Sequence, residues 1–247
     1  MEALNLPLVP VVKKLQLRSP LNSEEIDAVL ALPLRSVRFD PGGYLVRQGD
    51  TVENCCLILS GYASRDRNTG YKSRQILSIH LRGDLVDLHN NSVDQADYDV
   101  QALTHVTAAY IPRRLIYNLS ETYPAIRRAL WLDTLADMSI SREWLLNVGR
   151  RSGIERVAHL ICELVLRQEA ADISAGPVYD WPMTQEQFGD ATGLTSVHIN
   201  RMLKILRDEE LISCAKGRVT VLDWVGLRNK AELAKTYALS LNSVRFA

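Results

Sequence analysis

Residues 184–207 read TQEQFGDATGLTSVHINRMLKILR, and this pattern predicts two helices joined by a tight turn. Thr184 and Gln187 have the spacing of a capping box, in which two side chains satisfy the free amides at a helix start. Gly193 falls between the helices, where a tight turn needs a residue that tolerates positive φ. Thr195 then begins the second helix. The order of helix, glycine turn and helix is the helix-turn-helix layout.

The second of these helices has an apolar face and a basic polar face. The apolar positions are Val197, Ile199, Met202, Leu203, Ile205 and Leu206. The polar positions are Thr195, Ser196, His198, Asn200, Arg201, Lys204 and Arg207. A basic turn at 216–218 follows between two short apolar runs and predicts a two-stranded wing. Helix–glycine–helix units also occur in ordinary bundles, but a basic hairpin at this spacing favours a winged helix, whose cations suit the phosphates beside a DNA groove.

Composition places the chain among globular proteins of one large domain or two ordinary ones. Its 247 residues are 47% hydrophobic and 23% charged, which excludes a collagen-like or largely disordered chain. No run approaches the roughly 18 apolar residues of a spanning helix, and no signal-peptide pattern is evident. The 29 basic and 29 acidic residues balance, so any polyanion partner must be recognised by a local patch. Four cysteines are too few for a disulfide scaffold and favour a reducing, cytoplasmic setting.

The first half of the chain has the sequence pattern of an all-β domain. Glycines break residues 34–111 into short apolar runs, which predicts a β-barrel or sandwich. The proline-spaced apolar residues 6–10 predict an arm before it. A short helix is expected after this arm, with Ser23 as its cap.

A long helix is predicted over residues 124–148, because Pro124 suits its first turn and Gly149 its end. Apolar residues lie on more than one of its sides, as in a helix that is buried on two faces. One face would cover the barrel and the other would meet a second chain; the alternative is a helix buried wholly within one domain. Ser152 and Glu155 then fit another capping box, residues 170–180 have the character of a loop, and Gly149 is the expected hinge.

Residues 186–204, EQFGDATGLTSVHINRMLK, resemble the DNA-binding domain of the CRP/FNR family of bacterial transcription regulators. The likeness extends over about residues 15–225 and includes the glycine-punctuated roll and the long helix. It implies an α+β fold with an N-terminal cyclic-nucleotide-binding-like β-roll (jelly roll), a long dimerisation helix and a C-terminal winged helix-turn-helix. The corresponding domains are 1–111 for the arm and roll sensor, 112–149 for the connecting and dimerisation helices, 150–225 for the DNA-binding domain, and 226–247 for a C-terminal helix and tail without an assigned role.

The resemblance also implies a homodimer that reads a two-fold-symmetric operator on double-stranded DNA, with RNA polymerase as a further partner and no membrane. Arg201 matches the family's base-reading arginine, which is suited to a bidentate bond with guanine. Ser196 and Val197 stand where many relatives carry arginine and glutamate, so a different operator is expected. The full predicted DNA-contacting set is Thr184, Gln185, Thr195, Ser196, Val197, His198, Asn200, Arg201, Lys204, Lys216 and Arg218.

The effector of the sensor domain is not predicted, and no cofactor is expected. Cyclic-nucleotide members hold phosphate with Gly-Glu and Arg-Ser pairs, whereas Asp87-Leu88 and Ala96-Asp97 stand at the matching places here. Residues 83–112 contain no Lys or Arg and several aspartates, which disfavours a buried phosphate. The chain also lacks the N-terminal cysteine cluster of iron–sulfur members, and adjacent Cys55 and Cys56 would point to opposite faces of a strand. A haem-responsive or metal-responsive regulator of the same fold is an alternative, with His80, His89 or His105 as an axial ligand or loop 84–99 as a cation site, although ordinary histidines and a solvated loop are commoner.

Two other classes of function compete with a DNA-binding regulator. An enzyme is disfavoured, because the sequence contains neither a glycine-rich phosphate loop nor a Gly-x-Ser-x-Gly or His-Glu-x-x-His motif. A winged-helix protein-interaction module would use the same fold without DNA, and the salt dependence of DNA binding separates these two classes.

Overall fold

The computed structural model describes residues 6–68, 70, 74–86, 95–174 and 176–233. Within these ranges the chain forms two compact units: residues 6–66 and 79–138 belong to the first, and residues 67–78 and 139–233 to the second. This division into units does not test the domain boundaries predicted from the sequence, which remain predictions. Among the described helices, none combines the length and apolar character that a bilayer-spanning segment requires.

The N-terminal segment is helical, so the predicted arm is wrong. A 3₁₀ turn at Leu6–Leu8 leads into α1 (Val9–Arg18), which buries Val11, Val12 and Leu15. Pro10 is tolerated because it lies in the first turn, where its missing N–H would have no helical partner. The next helix, α2 (Ser23–Leu30), is capped by Asn22 rather than by Ser23: the Asn22 side chain accepts from the Glu25 amide, and Glu25 accepts from the Asn22 amide.

Seven strands form the roll, as the glycine-punctuated pattern predicts, and residues 67–78 of these strands are grouped with the second unit. They are β1 (Arg35–Phe39), β2 (Tyr44–Val46), β3 (Asn54–Ser60), β4 (Ala63–Asn68), β5 (Arg74–His80), β6 (Asp99–Ala102) and β7 (Val106–Pro112). One sheet has the order β1-β7-β3 and the other β2-β6-β4-β5. Cys55 and Cys56 do point to opposite faces of β3, since they pack into two different apolar clusters.

A buried ion network ties α1 to the rest of the first unit. Lys14 Nζ lies 2.9 Å from carboxylate oxygens of both Asp84 and Asp133, and Arg18 Nε lies 3.1 Å from Asp133. Burial alone would lower the pKa of Lys14, but Asp133, Asp84 and Asp137 outweigh burial and raise it. The α1 helix is therefore held by charge pairing as well as by its apolar face.

After β7 the chain turns helical, with α3 (Arg113–Thr122) followed by α4 (Pro124–Arg150). One face of α4 is buried along its length, at Ile126, Ala129, Asp133, Ala136, Ile140, Trp144 and Asn147. Exposed apolar side chains follow the opposite face, and we call Trp131, Leu135, Met138 and Leu145 the α4 stripe. The α4 helix is therefore not buried wholly within one domain, and that alternative is wrong.

The second unit contains the helix-turn-helix, the helices on either side of it and the wing. Its further elements are α5 (Gly153–Ala170), β8 (Val178–Asp180), α6 (Gln185–Thr192), α7 (Ser196–Asp208), β9 (Ile212–Ala215), β10 (Arg218–Val221) and α8 (Trp224–Lys230). The predicted loop at 170–180 is wrong at its end, because β8 pairs with β10. The wing sheet is consequently three-stranded, in the order β8-β10-β9, and not two-stranded. Residues 234–247 of the predicted tail lie outside the described residues.

The cysteines of the described residues form no disulfide, and Cys55, Cys56 and Cys162 are buried. Burial raises the pKa of the Cys162 thiol to about 12, although Arg228 opposes this shift. A thiol with so high a pKa is protonated and unreactive near neutral pH.

Candidate nucleic-acid interface

Local capping and glycine geometry set the angle between α6 and α7. Thr184 accepts from the Gln187 amide while Gln187 accepts from the Thr184 amide, which is the predicted capping box. Gly193 ends α6 in the left-handed conformation, with φ +67°. The Thr195 hydroxyl caps α7 by accepting from the His198 amide. The predicted layout of helix, glycine turn and helix is confirmed.

Gly189 has a steric role that the sequence analysis missed. An added Cβ at this position would lie 2.4 Å from the Leu194 carbonyl oxygen, so the two helices approach too closely for any other residue. The Leu194 amide donates to the Gly189 carbonyl at 3.1 Å, which closes the same contact. A glycine inside a predicted helix was the available signal, because glycine is unfavourable there unless close packing requires it.

The apolar face of α7 is packed inward, as its spacing predicts. Ile199, Met202 and Leu206 are buried in the second unit. Val197 is different, because 79% of its surface is exposed. Its assignment to the apolar face is therefore wrong, while its assignment to the DNA-contacting set agrees with this exposure.

The polar face of α7 is open to solvent. Every residue of the predicted DNA-contacting set is exposed except Ser196, which is half-buried. Arg201 and Lys204 form no ion pair with any residue that the structure describes. Two cations on an exposed helix face, with no ion-pair partner among the described residues, are available to a phosphate or to a guanine edge.

The start of α6 and the middle of α7 are joined at the surface. The Asn200 side-chain Nδ2 donates to the side-chain Oε1 of Gln185 at 2.5 Å. The structure thus brings together two predicted DNA-contacting residues that lie on different helices. Their contact orients both side chains along one face.

The wing presents its basic turn beside a strand that the sequence analysis did not predict. Lys216 and Gly217 adopt positive φ at the turn, and both Lys216 and Arg218 are exposed. Arg218 Nε lies 3.6 Å from Asp180 at the end of β8. Both partners are solvent-exposed, so this weak pairing leaves Arg218 accessible to a phosphate.

Two of the three histidines considered as axial ligands, His80 and His105, lie among the described residues. His80 is buried with Nδ1 3.8 Å from Asp84, and His105 is exposed with Nδ1 3.2 Å from Asp40. Residues 87–94, which are half of the acidic loop 84–99 and include Asp87-Leu88 and His89, lie outside the described residues. Across the described residues, no three His, Cys, Asp or Glu side chains are grouped as metal ligands.

The roll contains a cation, Arg65, that the sequence does not reveal, because Lys and Arg were counted only between residues 83 and 112. The strand β4 brings Arg65 to this region, where its guanidinium lies 4.4 Å from the Tyr98 ring centre and donates to the Val86 carbonyl. These contacts use the face of the guanidinium and its Nη2, while Arg65 Nε is buried without a hydrogen-bond partner among the described residues.

The fold and the exposed basic helix define a winged helix-turn-helix DNA-binding protein with a roll-shaped sensor domain. Residues 155–230 match the Crp-like helix-turn-helix domain, and residues 36–123 match the cyclic nucleotide-binding domain. Together these matches cover more than half of the chain, in the order of the family. The chain therefore belongs to the CRP/FNR family of transcription regulators.

Named relatives and solved structures agree with this family. The transcriptional activator protein FnrA of Stutzerimonas stutzeri is 26% identical over 207 residues, covering 84% of each chain. The nitrogen fixation regulation protein FixK of Rhizobium meliloti is 27% identical over 191 residues, or 77% of this chain and 84% of FixK. The structure of FixK2 from Bradyrhizobium japonicum superimposes with a TM-score of 0.74 at 19% identity, covering 82% of this chain and all of FixK2. The protein is a DNA-binding transcription regulator.

Proposed function

We propose that the protein acts as a homodimer whose two α7 helices read a two-fold-symmetric operator in successive major grooves. The observation that carries this proposal is the exposed face of α7, on which Arg201 and Lys204 have no described ion-pair partner. A helix of this kind fits the major groove, with the residues of its first turns at the base edges. Half-sites would lie about one helical turn of DNA apart.

Each predicted DNA-contacting residue has a role that follows from its place. Ser196, Val197, His198, Asn200 and Arg201 face the base edges. Val197 cannot accept a hydrogen bond from cytosine, but its exposed methyl groups suit the methyl group of thymine. The phosphate contacts are assigned to Thr184 and Gln185 at the start of α6, Thr195 at the cap of α7, Lys204 on α7, and Lys216 and Arg218 on the wing.

The α4 stripe supports pairing with a second copy of the chain. Trp131, Leu135, Met138 and Leu145 are 64%, 39%, 51% and 75% exposed, respectively. Their spacings of four, three and seven residues keep to the heptad pattern of a two-stranded coiled coil. A stripe with an exposed tryptophan near its start is suited to pairing, because aromatic anchors dominate such interfaces.

Arg201→Ala is expected to weaken binding to a selected operator by about 1–3 kcal/mol and to relax preference at one base pair. The reason is the loss of a bidentate contact to a guanine edge. Operators are selected from a random DNA pool, and affinities are then measured across single-base variants. Unchanged affinity and preference would show that another residue reads this position.

Lys216→Ala is the matched control for Arg201→Ala. Because Lys216 is assigned to a phosphate, its loss should weaken binding to all sequences alike and reduce the salt slope by about one unit. A change of base preference in this variant, comparable to that in Arg201→Ala, would contradict the division between base-reading and phosphate-contacting residues.

The effector is proposed to be something other than a cyclic nucleotide. We expect calorimetric titration with cAMP or cGMP to show no binding in the micromolar range. Residues 83–112 contain no Lys or Arg, and the guanidinium that β4 brings to this part of the roll, that of Arg65, contacts the Tyr98 ring and donates to the Val86 carbonyl. Micromolar binding of either nucleotide would overturn this proposal.

Further proposals follow from the role of a DNA-binding regulator. The protein would work in the cytoplasm, where it meets DNA, and it would catalyse no reaction of its own. Because its relatives FnrA and FixK are named as an activator and a regulator, RNA polymerase is the proposed protein partner at promoters.

A further inference from the structure

The junction between α4 and α5 is joined to the helix-turn-helix by one arginine. Arg156 lies in the first turns of α5, where its Nε donates to the Arg151 carbonyl at 2.9 Å. Its Nη1 donates to the Thr192 carbonyl at 3.0 Å. A single planar guanidinium therefore bridges Arg151, the residue that follows α4, and Thr192, the last residue of α6.

Direct packing reinforces this bridge. A Cβ added at Gly193 would lie 3.0 Å from Val148 Cγ1 and 3.6 Å from Arg156 Nη1. The turn of the helix-turn-helix thus rests on the last turns of α4. Arg156 holds the carbonyl group of Thr192, which lies at a helix C-terminus where the last carbonyls lack helical partners.

The α4 side of the bridge is itself held in place. Arg151 Nη2 donates to Glu143 at 3.0 Å, and only 6% of the Arg151 side chain is exposed. His159 and Arg151 lower the pKa of Glu143, against the opposing effect of burial, so the carboxylate is charged near neutral pH. Arg156 therefore contacts a carbonyl group whose own residue is held in place by an ion pair.

These contacts all lie within the second unit, which also contains Leu145 of the α4 stripe. The direction of α7 is thereby set relative to the segment of α4 that would pair with a second copy. A rotation of α7 about this junction would change the separation of the two reading helices in a dimer.

We propose that Arg156 is a positioning residue that fixes the distance between the two α7 helices, and so determines which half-site spacing the dimer accepts. This inference rests on the proposed dimeric DNA-binding function. Arg156 itself reads no base, so its loss should change spacing preference without changing base preference.

The experiment compares wild type, Arg156→Gln, Arg156→Lys and the control Arg150→Gln, which changes an exposed arginine at the end of α4. Affinities are measured for a selected operator and for versions with one or two base pairs added to or removed from its centre. Wild type and Arg150→Gln should prefer one spacing by about tenfold or more, the factor that corresponds to one charge-assisted hydrogen bond. Arg156→Gln should bind neighbouring spacings almost equally well, and Arg156→Lys should be intermediate because it keeps the charge but loses the second directed bond.

Base preference within a half-site and the thermal unfolding midpoint are measured for the same variants. A uniform loss of affinity at every spacing in Arg156→Gln, with the wild-type spacing profile kept, would overturn the inference and leave Arg156 a merely structural residue. If Arg156→Gln does not fold, the spacing profile of Arg156→Lys decides in the same way. Absence of specific binding by wild type to any DNA would instead overturn the proposed function, so the two failures are distinguishable.

Discussion

Leu145→Glu is expected to convert the protein from dimers to monomers and to lower its affinity for a two-fold operator by roughly 10²-fold or more. Leu145 is 75% exposed in the single chain and stands in the α4 stripe. In a paired α4 its side chain would meet its counterpart across the two-fold axis. Two carboxylates brought together in an apolar interface repel each other and lose their hydration, which opposes pairing.

The mass in solution and the affinity for DNA are the measurements that check this prediction. Sedimentation gives the oligomeric state, and titration compares a full operator with a single half-site. Ser141→Glu is the matched control: it adds the same charge at an exposed position of α4 that is about 80° around the helix from the centre of the stripe. The control should remain dimeric and bind as wild type does.

Binding to a single half-site should be almost unchanged in Leu145→Glu, because the reading face of α7 is intact. The loss at the full operator is then a loss of the linked second contact. A Leu145→Glu protein that stays dimeric would contradict the assignment of the α4 stripe to the dimer interface. Trp131→Ala would then show whether any part of the stripe contributes to pairing.

Gly189→Ala is expected to destabilise the second unit by about 1–3 kcal/mol, the usual cost of overpacking, and to impair DNA binding. The new methyl group would lie 2.4 Å from the Leu194 carbonyl oxygen, which is a backbone atom and cannot rotate away. The clash is relieved only if α6 and α7 move apart. This movement changes the angle between the two helices, which determines how α7 is presented to DNA.

Gly153→Ala is the matched control for this substitution. Its added Cβ would meet only side-chain atoms, at 3.6 Å or more, which is ordinary packing distance. Its expected effect is neutral or a small gain in stability, since alanine has the higher helix propensity. Thermal unfolding and operator affinity are measured for both variants, and equal behaviour of the two would contradict the steric role of Gly189.

The sequence of residues 184–207 predicts the local structure of this segment well, because the features that specify it act between residues that are close together along the chain. Capping boxes act over three residues, and the left-handed turn at Gly193 follows from the absence of a side chain. The exposed face of α7 follows from helical periodicity alone. The same local reasoning fails at Val197, because burial of one apolar residue depends on what lies opposite it.

The errors of the sequence analysis have a common origin in long-range contacts. The first helix was missed because the packing of Val11 and Leu15 and the ion pairs of Lys14 lie outside any local window. The strand β8 was missed because its pairing partner β10 comes about forty residues later. Arg65 was missed because cations were counted only within residues 83–112. This side chain lies on β4, which precedes that range in the sequence but packs beside it in the fold.

The amino-acid sequence by itself determined the class of protein, the helix-turn-helix and the polar face of α7, because turns, caps and periodic faces depend on residues that are close together along the chain. Only the tertiary structure decided which side of α4 is left exposed, why Gly189 admits no side chain, and how Arg156 joins α5 to Thr192. The physical reason is that these features depend on tertiary contacts between elements that are far apart along the chain. Local propensity carries no information on such contacts, which are specified by packing and by directed hydrogen bonds.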